Sequence, residues 1–239
     1  MAPKKQQYLR PGAFFDFDKT ILATDSQGKE AEDLWKKSWE QGNYWLFLKM
    51  AWFAFFWCTL YEWGLIGGET INRVYIFLVY REIRLRDLEE NGRLLYSNVL
   101  RPLLYDEMLL TMKDHHEKGH AVIVVSATPV HLLQPFVDEF REIVDAMSAT
   151  RIEVGVSGLP RKGVICIGNQ KAVAQRRFAE ELGLNLATSF AYTDHHHDIE
   201  FLESVKHKIV VNPTPQLENI AKKREWKILR FQAQQVRNT

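Results

Sequence analysis

Short apolar runs recur along the chain, and several of them end at polar side chains. Residues 13–17 form one such run, and residues 121–125, which read AVIVV, form another. Runs of this length that are rich in aromatic or β-branched residues are typical of strands buried on both faces. The same pattern predicts four further strands, at residues 164–167, 190–193, 208–211 and 227–231.

Stretches with helical spacing separate these runs. Residues 102–118 place apolar side chains on one repeating face before Gly119, and residues 170–182 do the same before Gly183. Glycine is common just beyond a helix C-terminus. Alternating strands and helices predict an α/β fold, a doubly wound parallel sheet covered by helices on both faces. Such sheets bind their ligands at the carboxyl ends of the strands.

Residues 25–101 interrupt this alternation. No convincing core strand occurs in this region, and its helical stretches are residues 28–40, 44–63, 69–80 and 86–100. We therefore predict a core domain made of residues 12–24 and 102–231, with residues 25–101 inserted as a helical-bundle cap over the sheet edge. Residues 1–11 are predicted to be a disordered leader, and residues 232–239 a flexible tail.

One segment of the insertion is unusually aromatic. Residues 44–61 read YWLFLKMAWFAFFWCTLY and carry a single charge, Lys49. This length is marginal for a membrane span. The density of aromatic rings suits a buried helix, or a helix in a membrane interface, better than the middle of a bilayer. A helix packed within the protein, a peripheral membrane contact and a span are the alternatives at this point.

Composition and charge narrow the classes of function. The 239 residues contain 31 Lys and Arg against 30 Asp and Glu, so no bulk positive field indicates nucleic-acid binding. The two cysteines, Cys58 and Cys166, lack metal-site spacing and fit a reducing compartment. We expect a cytoplasmic protein, with peripheral membrane association as the open question.

Two aspartates follow the first predicted strand with one residue between them. Asp16 and Asp18 lie in the segment FDFDKT, where both carboxylates can share a divalent cation while one faces a phosphorus atom. Magnesium prefers such oxygen ligands. The alternative is a pair of solvated acids at an ordinary strand-to-loop junction, with Thr20 capping a helix.

A second polar cluster, Ser-Ala-Thr-Pro, follows the strand at residues 121–125. The hydroxyl of Ser126 and neighbouring backbone amides, such as that of Ala127, can donate to a phosphate oxygen. The alternative is that Ser126 or Thr128 caps a helix that starts at Pro129, since proline favours the first helical position.

Charged residues also stand near the later strand ends. Lys171, at the start of the helix at 170–182, can neutralise phosphate charge that builds up in a transition state, although most helix lysines are solvated. Asp194 and Asp198 follow the strand at 190–193. One of them can bind a metal ion while the other holds a metal-bound water or pairs with Lys171.

Three histidines lie between these last two aspartates. The run His195, His196 and His197 suggests a zinc site. Adjacent histidines seldom point at a common centre, so we expect them instead to line the rim of the site and to affect its pH dependence.

In chain order these groups are DxDxT, a serine after a hydrophobic strand, a lysine, and DxxxD. In that order they resemble the four motifs of the haloacid dehalogenase-like phosphatases, which have a Rossmann-like core. The chain is most similar to the phosphoserine phosphatase-like group, whose helical cap lies between the first two motifs. The likeness spans about residues 13–231 and rests on the segments AFFDFDKTIL, GHAVIVVSATP, YTD, DIEFLESV and NPTPQLENIAKKREWKILRF.

The resemblance implies a role for each motif residue. Asp16 would be the nucleophile and would form an aspartyl-phosphate. Asp18 would protonate the leaving alcohol and then activate water, and Thr20 would help to position it. The phosphate-binding set would be Thr20, Ser126, Ala127 and Lys171.

The resemblance also implies a magnesium ion. Asp16, the backbone carbonyl of Asp18 and Asp194 would hold it, and Asp198 would support them through water or Lys171. Two positions depart from the family pattern. Lys19 stands where many members carry glycine, and His195 replaces a residue that is often serine or glycine.

The expected function is therefore a magnesium-dependent phosphomonoester hydrolase. Its substrate is expected to be a small phosphate ester or a phospholipid headgroup, such as lysophosphatidate or phosphatidylglycerophosphate. A phosphoserine phosphatase is the alternative, and Asp25 with Arg73 or Arg81 would then bind the amino acid. A non-catalytic phosphate-binding or membrane-associated module is the remaining alternative.

Overall fold

The computed structural model describes residues 10–155, 159–164, 166 and 168–232. The predicted leader and tail therefore lie almost entirely outside the described residues. Within the described part, seven strands form one sheet in the order β4-β3-β2-β1-β5-β6-β7. Their bounds are β1 Gly12–Phe15, β2 Ala121–Pro129, β3 Ala146–Val154, β4 Pro160–Val164, β5 Phe190–Thr193, β6 His207–Val211 and β7 Lys227–Leu229.

Neighbouring strands of this sheet are parallel, except that β4 runs antiparallel to β3. The predicted α/β fold with a doubly wound parallel sheet is confirmed. Strand β3 was not predicted, because its sequence AMSATRIEV has no apolar run and most of it is partly or fully exposed. The strand predicted at 164–167 lies earlier, in β4, and residues 165 and 167 are outside the described part.

Helices cover both faces of the sheet. Successive strand residues point to opposite faces, so Phe15 and Val124 pack in one apolar layer while Phe14 and Ile123 pack in the other. The first layer is completed by α6 (Asp106–Glu117) and α7 (Val130–Glu139). The second is completed by α8 (Asn169–Glu181), α9 (Ile199–Glu203) and α10 (Pro215–Lys223).

The insertion between β1 and β2 is helical, as predicted. Its α-helices are α1 Ser26–Glu40, α2 Tyr44–Trp52, α3 Thr59–Glu62, α4 Gly68–Leu78 and α5 Leu85–Leu95. A π-helical segment, Phe53–Cys58, joins α2 to α3 without a break, and a second one, Tyr96–Leu100, extends α5. The helix predicted at 102–118 begins only at Asp106, because Leu104 and Tyr105 are extended.

The insertion has its own small core and a polar contact with the sheet domain. Leu34, Met50 and Tyr75 are among the buried residues of that core. Glu30 of α1 is buried, and its carboxylate lies 2.6 Å from Nε2 of His131 on α7. The hydroxyl of Tyr80 donates to the same carboxylate. A buried hydrogen bond between Glu30 and His131 therefore joins the cap to the core, in addition to apolar packing.

Helices α5 and α7 approach closely at one glycine. A Cβ atom added to Gly92 would lie 2.2 Å from the backbone oxygen of His131. That distance is far inside van der Waals contact, so only glycine fits at this position without a shift of one helix.

The aromatic segment at 44–61 packs by a narrow stripe only. Leu46 and Met50 are buried, whereas Trp45, Trp52 and Phe55 are 65%, 55% and 79% exposed. The segment at 44–61 therefore packs against the protein as predicted only on the side of Leu46 and Met50, and its other side is exposed. No helix in the described part of the chain has both the length and the apolar character needed to cross a membrane.

Candidate active site

The parallel ladder brings the predicted site residues to one edge of the sheet. Phe15 of β1 lies opposite Val124 of β2 and Tyr192 of β5. The residues that come next in each strand therefore emerge together at the carboxyl ends. Asp16, Ser126 and Asp194 all line the same cavity.

Asp16 is the centre of this cluster and is 5% exposed. Its Oδ1 accepts hydrogen bonds from the Ser126 hydroxyl at 2.9 Å and from the Phe17 amide at 2.7 Å. Its Oδ2 lies 2.7 Å from Nζ of Lys171. The interpretation of Asp16 as a solvated surface acid is therefore wrong.

Lys171 is buried and contacts two carboxylates. It is 3% exposed, and its Nζ lies 2.7 Å from Asp198 Oδ2 as well as from Asp16. The hydroxyl of Thr193 donates to the same Asp198 oxygen at 2.7 Å. Lys171 is thus not a solvated helix lysine, because the start of α8 points its side chain into the site. Thr193 was not predicted, although it ends the same strand that presents Asp194.

Asp18 is held apart from this cluster by different partners. Its carboxylate accepts from the amide and hydroxyl of Ser26, each at 3.0 Å, and from the Thr128 hydroxyl at 2.9 Å. Thr20, which was expected to position it, is buried, and its Oγ1 has no hydrogen-bond partner among the described residues. Ser26 and Thr128, rather than Thr20, therefore hold the Asp18 carboxylate in position. The phosphate-binding role of Thr20 stays a prediction.

The capping interpretation of the Ser-Ala-Thr-Pro cluster is wrong. Helix α7 starts at Val130 after Pro129, and no side chain caps it. Strand β2 instead continues to Pro129. Ser126 and Thr128 are buried and hydrogen-bonded to the two aspartates, while Ala127 lines the cavity between them.

Burial and neighbouring charges change the proton affinity of Asp18, Asp194 and Lys171. Burial raises the pKa of Asp18 to about 7, with the charge of Asp25 adding to the effect. It likewise raises the pKa of Asp194 to about 7, assisted by the charge of Asp16. Burial alone would lower the pKa of Lys171, but Asp16 and Asp198 outweigh it and hold that pKa above its usual value.

Of the three histidines predicted to line the rim of the site, His195 and His197 line the cavity, next to Asp194. Burial, and then the neighbouring His196, lowers the pKa of His195 to about 4. His195 is therefore neutral over the physiological range.

The loop after Asp18 accounts for one departure from the family pattern. Lys19 has a φ of 57°, in the left-handed region that favours glycine. Its side chain is exposed and contributes to the cavity lining. The position therefore tolerates a lysine at the cost of some backbone strain and gains a cationic group beside the carboxylates.

The cap closes over the carboxylates and leaves a cavity of about 510 Å³. Aromatic and apolar side chains from its π-helical segment and from α4, such as Phe53, Ile71 and Tyr75, form much of the wall. Arg73 and Arg81 do not line it. Arg73 pairs with Glu69 on the surface, and Arg81 lies over the ring of Phe77.

These features define a capped α/β fold whose cavity is lined by several aspartates and a buried lysine. The family description haloacid dehalogenase-like hydrolase matches residues 13–203. The inhibition of morphological differentiation protein of Streptomyces azureus is 30% identical over 232 residues, which covers 93% of this chain and 79% of that protein. A phosphoserine phosphatase of Mycobacterium tuberculosis is 26% identical over 239 residues, which covers 93% of this chain and 71% of that protein.

Solved structures share the whole architecture. A protein of unknown function from Bordetella pertussis has a TM-score of 0.79 at 25% identity, covering 92% of this chain and 98% of its own. A substrate-bound phosphoserine phosphatase complex has a TM-score of 0.63 at 18% identity, covering 92% and 93% of the two chains, and at that identity it shows the fold alone. The chain belongs to the haloacid dehalogenase-like hydrolase family and is an enzyme with phosphatases among its relatives.

Proposed function

We propose that this protein is a magnesium-dependent phosphomonoester hydrolase that works through an aspartyl-phosphate on Asp16. One observation carries the proposal. Two aspartates one residue apart have different surroundings, Asp16 being paired with Lys171 and Ser126, and Asp18 having a pKa of about 7. A nucleophile and a general acid–base group need such a division of environments.

In the first step, a carboxylate oxygen of Asp16 attacks phosphorus and the bond from phosphorus to the ester oxygen breaks. Protonated Asp18 donates its proton to that oxygen, so the alcohol leaves neutral. Lys171 and Ser126 contact the Asp16 carboxylate, so we propose that they bind the phosphoryl oxygens and stabilise the charge that develops on them.

In the second step, the ionised carboxylate of Asp18 removes a proton from water. The resulting hydroxide attacks phosphorus, the bond to Asp16 breaks, and inorganic phosphate leaves. Because Ser26 and Thr128 hold both oxygens of Asp18, the same group is oriented for each half of the reaction. Its pKa near neutrality suits donation and removal of a proton at physiological pH.

The donor set fits a divalent cation. Asp16, Asp18, Asp194 and Asp198 bring four carboxylates to a site where Lys171 is the buried cation. The charge of Asp16 contributes to the raised pKa of Asp194, so a hard cation between the two carboxylates would be stabilised. We propose that Asp16, Asp194 and the Asp18 carbonyl hold Mg²⁺ with support from Asp198. The ion would polarise the phosphate and offset the excess negative charge.

The cavity wall supports an ester with an apolar alcohol portion. Phosphoserine would require a cation for its carboxylate, and no arginine or lysine of the cap lines the cavity within the described residues. Phe53, Ile71 and Tyr75 instead suit acyl or other apolar groups, each buried CH₂ contributing about 0.8 kcal/mol. A phospholipid headgroup such as that of lysophosphatidate or phosphatidylglycerophosphate is therefore our preferred substrate class.

Phosphoserine is the second candidate. Asp25 lines the cavity and offers a carboxylate to a substrate ammonium group, and a relative from Mycobacterium tuberculosis is named for this activity.

A peripheral membrane contact is the companion proposal. The exposed rings of Trp45, Trp52 and Phe55 lie on the helical stretch that also supplies Phe53 and Tyr61 to the cavity wall. Tryptophan rings favour the headgroup level of a bilayer. An enzyme bound at the headgroup level of a membrane would have lipid esters next to the entrance of its cavity.

Phosphate release from soluble and lipid esters tests the function, with magnesium or with a chelator. We expect magnesium-dependent release that falls at least about a thousandfold in Asp16→Asn, because the nucleophile is lost while volume is kept. Asp114→Asn, at an exposed ion pair with Lys118, is the matched control. Release from no ester, or full release by Asp16→Asn, would contradict the proposal. A preference for phosphoserine would exclude the lipid substrate class.

A further inference from the structure

The three histidines at the cavity edge form a compact cluster. Their ring centroids are 4.3–4.5 Å apart, and one potential ligand atom from each ring lies within 4.8 Å of the others. Among the residues that the structure describes, this is the single set of three or more His, Cys, Asp or Glu side chains with such convergence. None of the three histidines has a role in the reaction proposed above.

The backbone explains why adjacent histidines converge here. Consecutive side chains point to opposite faces of a strand and diverge around an α-helix, so neither element could gather three in a row. His195 is extended, and His196–Asp198 form a tight 3₁₀ turn directly after it. The amide of His197 donates to Nδ1 of His195 at 3.2 Å, which ties the two ends of the run together.

One nitrogen of the cluster lacks a partner. Nδ1 of His196 is shielded from solvent and makes no hydrogen bond within the described residues. An imidazole nitrogen that is removed from water and left unpaired is unfavourable. A metal ion that accepts the lone pair of this nitrogen would remove that cost, either directly or after a small rotation of the His196 ring.

We propose that His195, His196 and His197 bind a transition-metal ion of the zinc class at the rim of the cavity. Imidazole nitrogen suits Zn²⁺, Cu²⁺, Ni²⁺ and Co²⁺, whereas Mg²⁺ prefers the oxygen donors of the neighbouring aspartates. Three nitrogen ligands leave one position of a tetrahedral ion open. The site is therefore distinct in chemistry from the carboxylate site, although it adjoins it.

The required rearrangement is small. Zn–N bonds of 2.0–2.1 Å place tetrahedral ligands roughly 3.3 Å apart, and the three donors already lie within 4.8 Å. His197 is exposed and His195 and His196 are partly so, which leaves their rings room to rotate about χ1 and χ2. Closure needs no movement of the buried aspartates.

The bound ion would lie beside the cavity, because His195 and His197 line it. A phosphate oxygen or a water can occupy the open position of the ion. We expect the bound ion to inhibit turnover, and this effect rests on the proposed function. Metal binding itself does not, so it is measured separately.

Calorimetric titration of Zn²⁺ into the untagged full-length protein tests the site. Excess Mg²⁺ is present throughout to occupy the carboxylates. We expect one Zn²⁺ per chain, and affinity at least about tenfold lower in His196→Ala and in His197→Gln. His116→Ala, at an exposed histidine outside the cluster, should bind like the wild type. Co²⁺ in place of Zn²⁺ should give the visible bands of a four-coordinate nitrogen site.

Several results would overturn the proposal. These are no stoichiometric binding, equal binding by the wild type and a folded His197→Gln variant, or loss of binding in His120→Ala instead. The last result would assign the metal to the separate contact between His115 and His120. Binding that persists in Asp16→Asn would support the site even if that variant and the wild type release no phosphate.

Discussion

Charged residues at the carboxyl ends of the strands are buried, whereas many apolar residues of the cap are exposed. Around the strand ends, Asp16, Lys171 and Asp198 are charged and almost fully buried, and each has a partner of opposite charge. In the cap, Trp45 and Phe55 are apolar and mostly exposed. Buried charges persist only when they are paired, and such groups mark sites of chemistry. Exposed aromatic rings instead indicate what approaches the protein. Under the proposed function, the core would supply the reacting groups and the cap would select the substrate.

Removal of Lys171 should have the largest effect in this comparison. Lys171→Ala leaves Asp16 and Asp198 facing each other without a cation, so turnover should fall roughly 10²- to 10³-fold. In chelator, the free energy of unfolding should fall by about 3–5 kcal/mol. Ester hydrolysis and urea unfolding measure the two effects.

The control is Lys222→Ala, which removes an exposed partner of Glu218. It should change stability by no more than about 1 kcal/mol and leave turnover unchanged. Equal effects of the two substitutions would contradict the contrast between buried and exposed charge.

The dependence of stability on pH should separate the buried acids from the surface ones. Asp194 has a pKa of about 7 in the folded protein, against about 3.9 when unfolded. The folded state therefore binds its proton more tightly, so this contribution to stability is present below about pH 4 and is lost as pH rises through 7.

Urea unfolding in chelator between pH 5 and pH 8 measures this effect. The stability of the wild type minus that of Asp194→Asn should decrease as pH rises, by at most about 1.4 kcal/mol per pH unit. Asp114→Asn should show no such decrease, because Lys118 lowers the pKa of Asp114. A difference that grows with pH for Asp194→Asn would show that burial does not control this carboxyl group.

Gly92→Ala tests the contact between cap and core. The added Cβ would meet the His131 backbone oxygen, so we expect a loss of about 1–3 kcal/mol in unfolding free energy. Gly67→Ala, where a Cβ meets nothing within 4 Å, should cost under about 1 kcal/mol. Thermal unfolding measures both, and an equal cost at the two positions would refute the tight fit.

The smallest effect on stability is expected at the aromatic face. Phe55→Ser and Trp45→Ser should change unfolding free energy by about 0.5 kcal/mol or less, and turnover of a soluble ester should stay the same. Sedimentation with phospholipid vesicles should nevertheless show weaker binding than the wild type. Leu110→Ser, at an exposed apolar residue outside the cap, should bind vesicles like the wild type. Unchanged vesicle binding by all of these variants would contradict the proposed membrane contact.

Sequence patterns predicted the parts of the fold that are buried and regular. Strands β1, β2, β5, β6 and β7 have apolar runs, and their order along the chain brought Asp16, Ser126 and Asp194 to one edge. Strand β3 was missed because an edge-side strand with exposed residues has no such run. Ser26 and Thr193 were missed because a lone hydroxyl residue carries no pattern, and only the fold brings it to a carboxylate.

The central position of β1 also has a consequence for folding. The Gly12 amide donates to the Ser189 hydroxyl across 177 positions of the chain, and Ser126 reaches Asp16 across 110. Closing such long loops is entropically costly, and folds dominated by distant pairings form slowly. The two flanking halves of the sheet can each assemble from neighbouring segments, whereas β1 has no local partner. We therefore expect β1 to dock between them late in folding and to complete the sheet and the pocket around Asp16 together.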